Sequence, residues 1–141
     1  MNSLAQKKAL ASYATVVKTK NDTENPQELV HLLFVGLTDR IAMVRKALAD
    51  NDREKRAVAV TKSQKILFGL SQTLDFEQGG ELARNLLSLY QYCIERLGVG
   101  HAKEDDSMFE EVFDLMVMIR DAWASAPSRP RPMLITTFST F

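Results

Sequence analysis

Apolar residues recur at intervals of three and four from Pro26 to Trp123, and no proline lies between Pro26 and Pro127. That spacing is the mark of amphipathic helices rather than strands. Asn25 suits a helix N-cap, Pro26 the first helical position and Glu28 the third, a variant of the capping box. The spacing predicts a helix from there to about Asp50, with Leu29, Leu32, Leu33, Gly36, Leu37, Val44 and Leu48 on one stripe. Asp50-Asn51-Asp52 reads as a turn, with Asp52 capping a second helix that runs through Val60, Ile66 and Leu70 to about Thr73. Leu74–Gly80 reads as a loop closed by Gly79-Gly80. A third helix is expected over Glu81–Leu97, with Gly98 and Gly100 ending it. A fourth starts at Asp105 or Asp106 and stops before Pro127.

These elements predict an all-α fold: an antiparallel up-down bundle of four main helices, plus a short N-terminal helix over the weakly amphipathic stretch Leu4–Lys18. The chain divides into an N-terminal segment (1–24), the helical bundle (25–126) and an extended or disordered tail (127–141) rich in Pro, Ser, Thr and Arg.

Several helices carry more apolar surface than one stripe. The first adds Val30, Phe34, Val35 and Ile41, the third adds Ala83, Leu87 and Ile94, and Leu115–Ile119 in the fourth is apolar nearly all round. Such a surplus means central burial, an oligomer interface, or an open groove that receives a partner's helix. A bundle of 141 residues has limited room for helices buried on every side.

Charge narrows the functional classes. Eighteen basic residues balance eighteen acidic ones, which argues against a general nucleic-acid binder. The basic residues Arg53, Lys55, Arg56, Lys62 and Lys65 cluster in the second helix, and acids cluster at the start of the fourth; both read first as solvated faces. The single cysteine, Cys93, forbids a disulfide within the chain and fits a reducing compartment, with the thiol buried in an apolar run. No apolar run approaches a membrane span and the first residues lack a secretory signal, so a soluble cytoplasmic protein is expected.

Catalytic and metal chemistry finds little support. Glu28 and His31 have the Glu-x-x-His spacing of di-iron bundles, but those sites need a second copy, and the only other histidine is His101. Gly98-Val99-Gly100 follows no strand and is too short for a phosphate loop. No enzyme activity, cofactor or metal is expected.

Three segments together resemble the flagellar export chaperone family FliS. They are Asn25-Pro-Gln-Glu-Leu-Val-His-Leu-Leu-Phe-Val-Gly-Leu37, the stretch Lys65–Tyr92 with its Thr-Leu-Asp, Gly-Gly-Glu, Asn-Leu and Leu-Tyr-Gln-Tyr elements, and Ile119-Arg-Asp-Ala-Trp123. Phe34 stands where the family usually has Tyr, and Val35 where it has an acid. The resemblance implies a cytosolic chaperone, monomeric or weakly dimeric, that binds the disordered C-terminal segment of flagellin. Binding would prevent premature polymerisation, and an export-gate component would be a further partner. On that reading the expected groove residues are Leu33, Phe34, Leu37 and Ile41 with Leu86, Leu87, Leu89 and Tyr90. Asn85 could bond partner backbone, and Tyr92 offers an amphipathic ring at the groove edge. Gly36 would allow close backbone approach, and the segment around Tyr13 would cover the empty groove. The alternative is a helical homo-oligomeric interaction protein without chaperone activity.

Overall fold

A computed structural model of the chain describes residues 26–125. The segment 1–24 with its expected helix and Tyr13, the Asn25 cap and the tail 127–141 lie outside the described residues. Four helices account for most of the rest: α1 (Pro26–Ala49), α2 (Arg53–Ser71), α3 (Phe76–Lys103) and α4 (Asp106–Ser125). Each packs chiefly on two others, α1 on α2 and α4, α3 on α2 and α4, so the helices stand at the corners of a square. Contacts between opposite ends fix the directions. The start of α1 meets the end of α4 where Trp123 Nε1 donates to Gln27 O at 3.1 Å, and the end of α1 meets the start of α4 where Arg45 grips Asp106. The predicted antiparallel up-down bundle is the fold observed.

Local chemistry sets the turns. Asp52 caps α2 as expected, its carboxylate accepting from Lys55 N at 3.0 Å. Asp75 does the same for α3 through Gln78 N at 3.0 Å. Helix α3 therefore starts at Phe76 and not at Glu81, and the expected Leu74–Gly80 loop shrinks to a short connection. Gly80 breaks the first turn from the rest, with φ 52 and ψ −128, a conformation only glycine adopts cheaply. Asp105 accepts from Ser107 N and Ser107 Oγ at 2.9 and 2.6 Å at the start of α4, and these bonds hold its carboxyl below the usual range.

The expected end of α3 at Gly98 and Gly100 is corrected. The helix runs on to Lys103 and ends at Glu104, which takes the left-handed conformation (φ 54). Gly100 is there for packing: a Cβ on it would meet Phe109 Cε1 at 2.9 Å and Met108 Cβ at 3.1 Å. Helix α4 thus lies against bare backbone at the tip of the α3–α4 hairpin.

The surplus apolar stripe of α1 is explained by the square. A corner helix faces two neighbours and needs a wide apolar arc. Leu33, Phe34, Leu37, Ile41 and Val44 are all essentially fully buried, and Phe34 lies tilted against Trp123 with ring centroids 6.2 Å apart. The core continues through Leu67, Leu70, Cys93, Leu97, Phe109, Val112 and Met116.

Among the described residues one charged side chain sits inside. Arg56 is 1% exposed. Its Nε donates to His101 Nδ1 at 2.9 Å and its Nη2 to Glu104 Oε1 at 3.4 Å, pinning the start of α2 to the end of α3. Burial, then Arg56 and Arg53, push the His101 pKa below the ordinary histidine value. A neutral ring keeps Nδ1 free to accept from Arg56.

Candidate partner-binding face

The residues expected to line a groove separate into two groups. Leu33, Phe34, Leu37, Ile41 and Tyr90 are core residues, each 3% exposed or less. They offer no open surface, because the helices they face close over them. Burial of the Tyr90 ring, with Cys93 a lesser cause, raises its hydroxyl pKa well above the usual phenol value. Leu86, Leu87 and Leu89 are half-buried, packed against the core with part of each side chain outside. Asn85 and Tyr92 are exposed. Gly36, expected at a close backbone approach, faces open space: a Cβ there would meet nothing within 4 Å.

Five of the half-buried and exposed residues of α3 fall on one line, with Leu87 and Ile94 on the opposite flank. Leu82, Leu86, Leu89, Tyr92 and Arg96 follow one another at steps of three and four, so they share one helical face. Its lower end is tied to α4. Tyr92 Oη donates to Glu111 Oε2 at 2.8 Å, and Arg96 Nε donates to Glu111 Oε1 at 2.9 Å. The hydrogen bond to Glu111 is the main reason the Tyr92 hydroxyl titrates above its usual value. Arg96 also lies over the Tyr92 ring, 5.7 Å from its centroid. On α4, Leu115, Met118, Ile119 and Ala122 follow Glu111 along the same side at helical spacing.

The two helices are antiparallel, so walking up α3 from Tyr92 is walking down α4 from Glu111. This register brings Leu89, Leu86 and Leu82 alongside Leu115, Met118, Ile119 and Ala122. Polar contacts fasten the hairpin near its tip, and the other half presents apolar side chains outward. Leu82 is 56% exposed and Met118 60%. Leu115 and Ile119 are half-buried against the core. Large apolar side chains exposed singly are ordinary; here they stand in line on two adjacent helices.

Leu82, Leu115, Met118 and Ile119 were not among the expected groove residues. The signal was present: Leu82 stands one turn before Leu86, and Met118 sits in the run that is apolar all round. The α3–α4 pairing that joins them is a tertiary fact.

Burial, then the nearby Glu111 charge, push the Cys93 thiol up to about 12. Among the described residues no group of three or more His, Cys, Asp and Glu side chains could hold a metal, and no helix is long and apolar enough to cross a membrane.

Comparison with known proteins matches residues 9–130 to the family profile described as flagellar protein FliS. The flagellar secretion chaperone FliSB of Pseudomonas aeruginosa is 34% identical over 117 residues, covering 82% of this chain and 93% of the relative. The flagellar secretion chaperone FliS of Escherichia coli K12 is 33% identical over 125 residues, covering 87% of this chain and 92% of the relative. That of Salmonella typhimurium is 34% identical over 116 residues, covering 81% and 86%. An all-helical square bundle matched along most of its length to these export chaperones belongs to the FliS family of flagellar proteins.

Proposed function

We propose that this protein is a cytoplasmic export chaperone that binds the disordered C-terminal segment of flagellin and seats it on the α3–α4 face. The observation that carries the reading is the line of Leu82, Leu86 and Leu89 beside Leu115, Met118 and Ile119 on the outside of a finished bundle. A disordered segment that folds on binding must offset an ordering cost of roughly 2–5 kcal/mol or more. Completing the burial of half-exposed Leu, Ile and Met side chains contributes on the order of 1 kcal/mol each, so about five of them can offset it. Asn85, exposed on the same face, supplies an amide for partner backbone, and Tyr92 closes the wet end with its ring. Gly36 leaves an unfilled place on α1 where a partner could approach without a side chain in the way.

Covering the segment that flagellin uses to assemble would keep it soluble until the complex reaches the export gate. In this role the chain binds and releases a protein and catalyses nothing.

The test is seeded flagellin assembly followed by light scattering, with Leu82→Asp and Met118→Asp variants. Both positions are more than half exposed, so a charge there leaves the core intact. The wild-type chain at equal concentration suppresses assembly and each variant suppresses it less. Assembly at an unchanged rate beside the folded wild-type chain refutes the reading. Scattering from the chaperone alone that rises with concentration, and is lost in the same variants, assigns the face to self-association.

A further inference from the structure

A second apolar surface lies on α1 and α2, away from the α3–α4 face. Val58 is 55% exposed and Met43 49%. They line a cavity of about 300 Å³ with Arg40, Glu54, Lys55, Ala59 and Lys62. A second cavity, of about 340 Å³, is lined by Ala57, Val58, Thr61, Lys62 and Lys65. The first opens between α1 and α2, from Glu54 to Lys62; the second lies on the other flank of Val58 and Lys62, which stand on α2 between the two. At about 1.5 Å per residue the α1–α2 trough is between two and three turns of a docked helix long. Ala59 makes its floor, and Met43 stands on the α1 side.

The rim carries more cations than acids. Arg45, Lys46, Arg53, Arg56, Arg96 and Arg120 each have a carboxylate partner. Arg40, Lys55 and Lys62 line the trough and Lys65 stands beside it, all four with no ion pair among the described residues; Arg84 and Lys103 share that state elsewhere, and Glu54 is the one acid in the lining. A chain whose net charge is zero has therefore left an excess of positive charge around one apolar floor.

We propose that this trough docks an acidic amphipathic helix of a second protein, its apolar ridge on Met43 and Val58 and its carboxylates against Arg40, Lys55, Lys62 and Lys65. Charge complementarity chooses the sign of the partner and the apolar floor chooses its shape. A nucleic-acid duplex would satisfy the cations and leave the floor without a partner. A lipid surface would meet a concave trough where it needs a protruding one. The site stands independently of the flagellin reading, because it shares no residue with the α3–α4 face.

The probe is a fluorescent synthetic helix of about 14 residues, long enough for the trough, with Leu at i, i+3, i+4 and i+7 spacing and Glu elsewhere. A matched peptide carries Lys in place of Glu. Anisotropy titrations use the full chain. The acidic peptide is expected to saturate at least about tenfold more tightly than the basic one, and Lys62→Glu and Val58→Asp each weaken it by about tenfold or more. Raising salt from about 50 to about 500 mM weakens it severalfold. Leu82→Asp leaves it unchanged. Failure of the acidic peptide to bind, equal binding of both peptides, insensitivity to Lys62→Glu and Val58→Asp, or displacement by a duplex oligonucleotide of equal charge overturns the proposal.

Discussion

Replacing Gly100 by alanine tests whether packing or helix propensity governs the α3–α4 hairpin. Gly100 lies inside a helix, where alanine is favoured by about 1 kcal/mol. Propensity alone therefore expects Gly100→Ala to stabilise. The surroundings expect the opposite. The added methyl would lie 2.9 and 3.2 Å from two atoms of the Phe109 ring and 3.1 Å from Met108 Cβ. Carbon atoms rest at about 3.5–4.0 Å, so three contacts are compressed at once. The Phe109 ring cannot swing away, because it is fully buried in the core, and Met108 Cβ is fixed to the backbone. Overpacking of this kind costs about 1–3 kcal/mol, and with three clashes the upper half of that range applies. Offset by the propensity gain, the net loss is about 1–2 kcal/mol. For a domain of this size that lowers the melting temperature by roughly 5–10 °C.

Urea unfolding followed by far-UV circular dichroism reads the change, with equal slopes confirming that the native and unfolded ensembles are comparable. Gly36→Ala is the control. Nothing lies within 4 Å of its new methyl, so it should stabilise by about 0.5–1 kcal/mol. Gly98 is intermediate, with only the end of Gln64 at 3.4 Å. If Gly100→Ala and Gly36→Ala shift stability alike, the close approach of Phe109 is not what glycine serves there.

Two further predictions concern the interior. The pKa of His101 is lower in the folded chain than the ordinary 6.5, so the unfolded chain takes up its proton first. Stability from this group is present above 6.5 and is lost as pH falls below it, and His101→Asn, which keeps an acceptor for Arg56, should flatten the change between about pH 7.5 and about pH 5.5 in urea melts; an unaltered slope would contradict that role. Cys93 is fully buried, with its thiol near 12. It should resist a disulfide reagent at about pH 8 and react only at the rate of unfolding, whereas stoichiometric labelling within seconds would contradict its place in the core.

The elements legible in the sequence were those fixed by neighbours in the chain. Asp52 capped α2 where its position before a polar first turn said it would, because a cap needs only residues three positions away. Helix α3 was misjudged at both ends for opposite reasons. Its start depends on Asp75 capping a short turn before Gly80, and its end on Phe109 packing over Gly100, a contact made by another helix. The width of an apolar stripe was legible, but not what covers it. Phe34 and Leu87 both widen a stripe, yet Trp123 of α4 closes over the first and part of the second stays outside. A charge at Phe34 would therefore probe folding and not binding. Arg56 was hidden among the basic residues of α2, although it stands in phase with Ala59, Val60 and Ser63 on the buried side. Periodicity could have found it.

The most direct measurement is calorimetric titration of the full chain with a flagellin C-terminal peptide from the same organism, repeated at several temperatures. Saturable one-to-one binding is expected, with a clearly negative heat-capacity change from burial of the α3–α4 face. In a chain carrying both Leu82→Asp and Met118→Asp, affinity is expected to fall by about tenfold or more. Absence of binding to a folded sample, or binding that ignores both substitutions, would contradict the assignment of that face to flagellin.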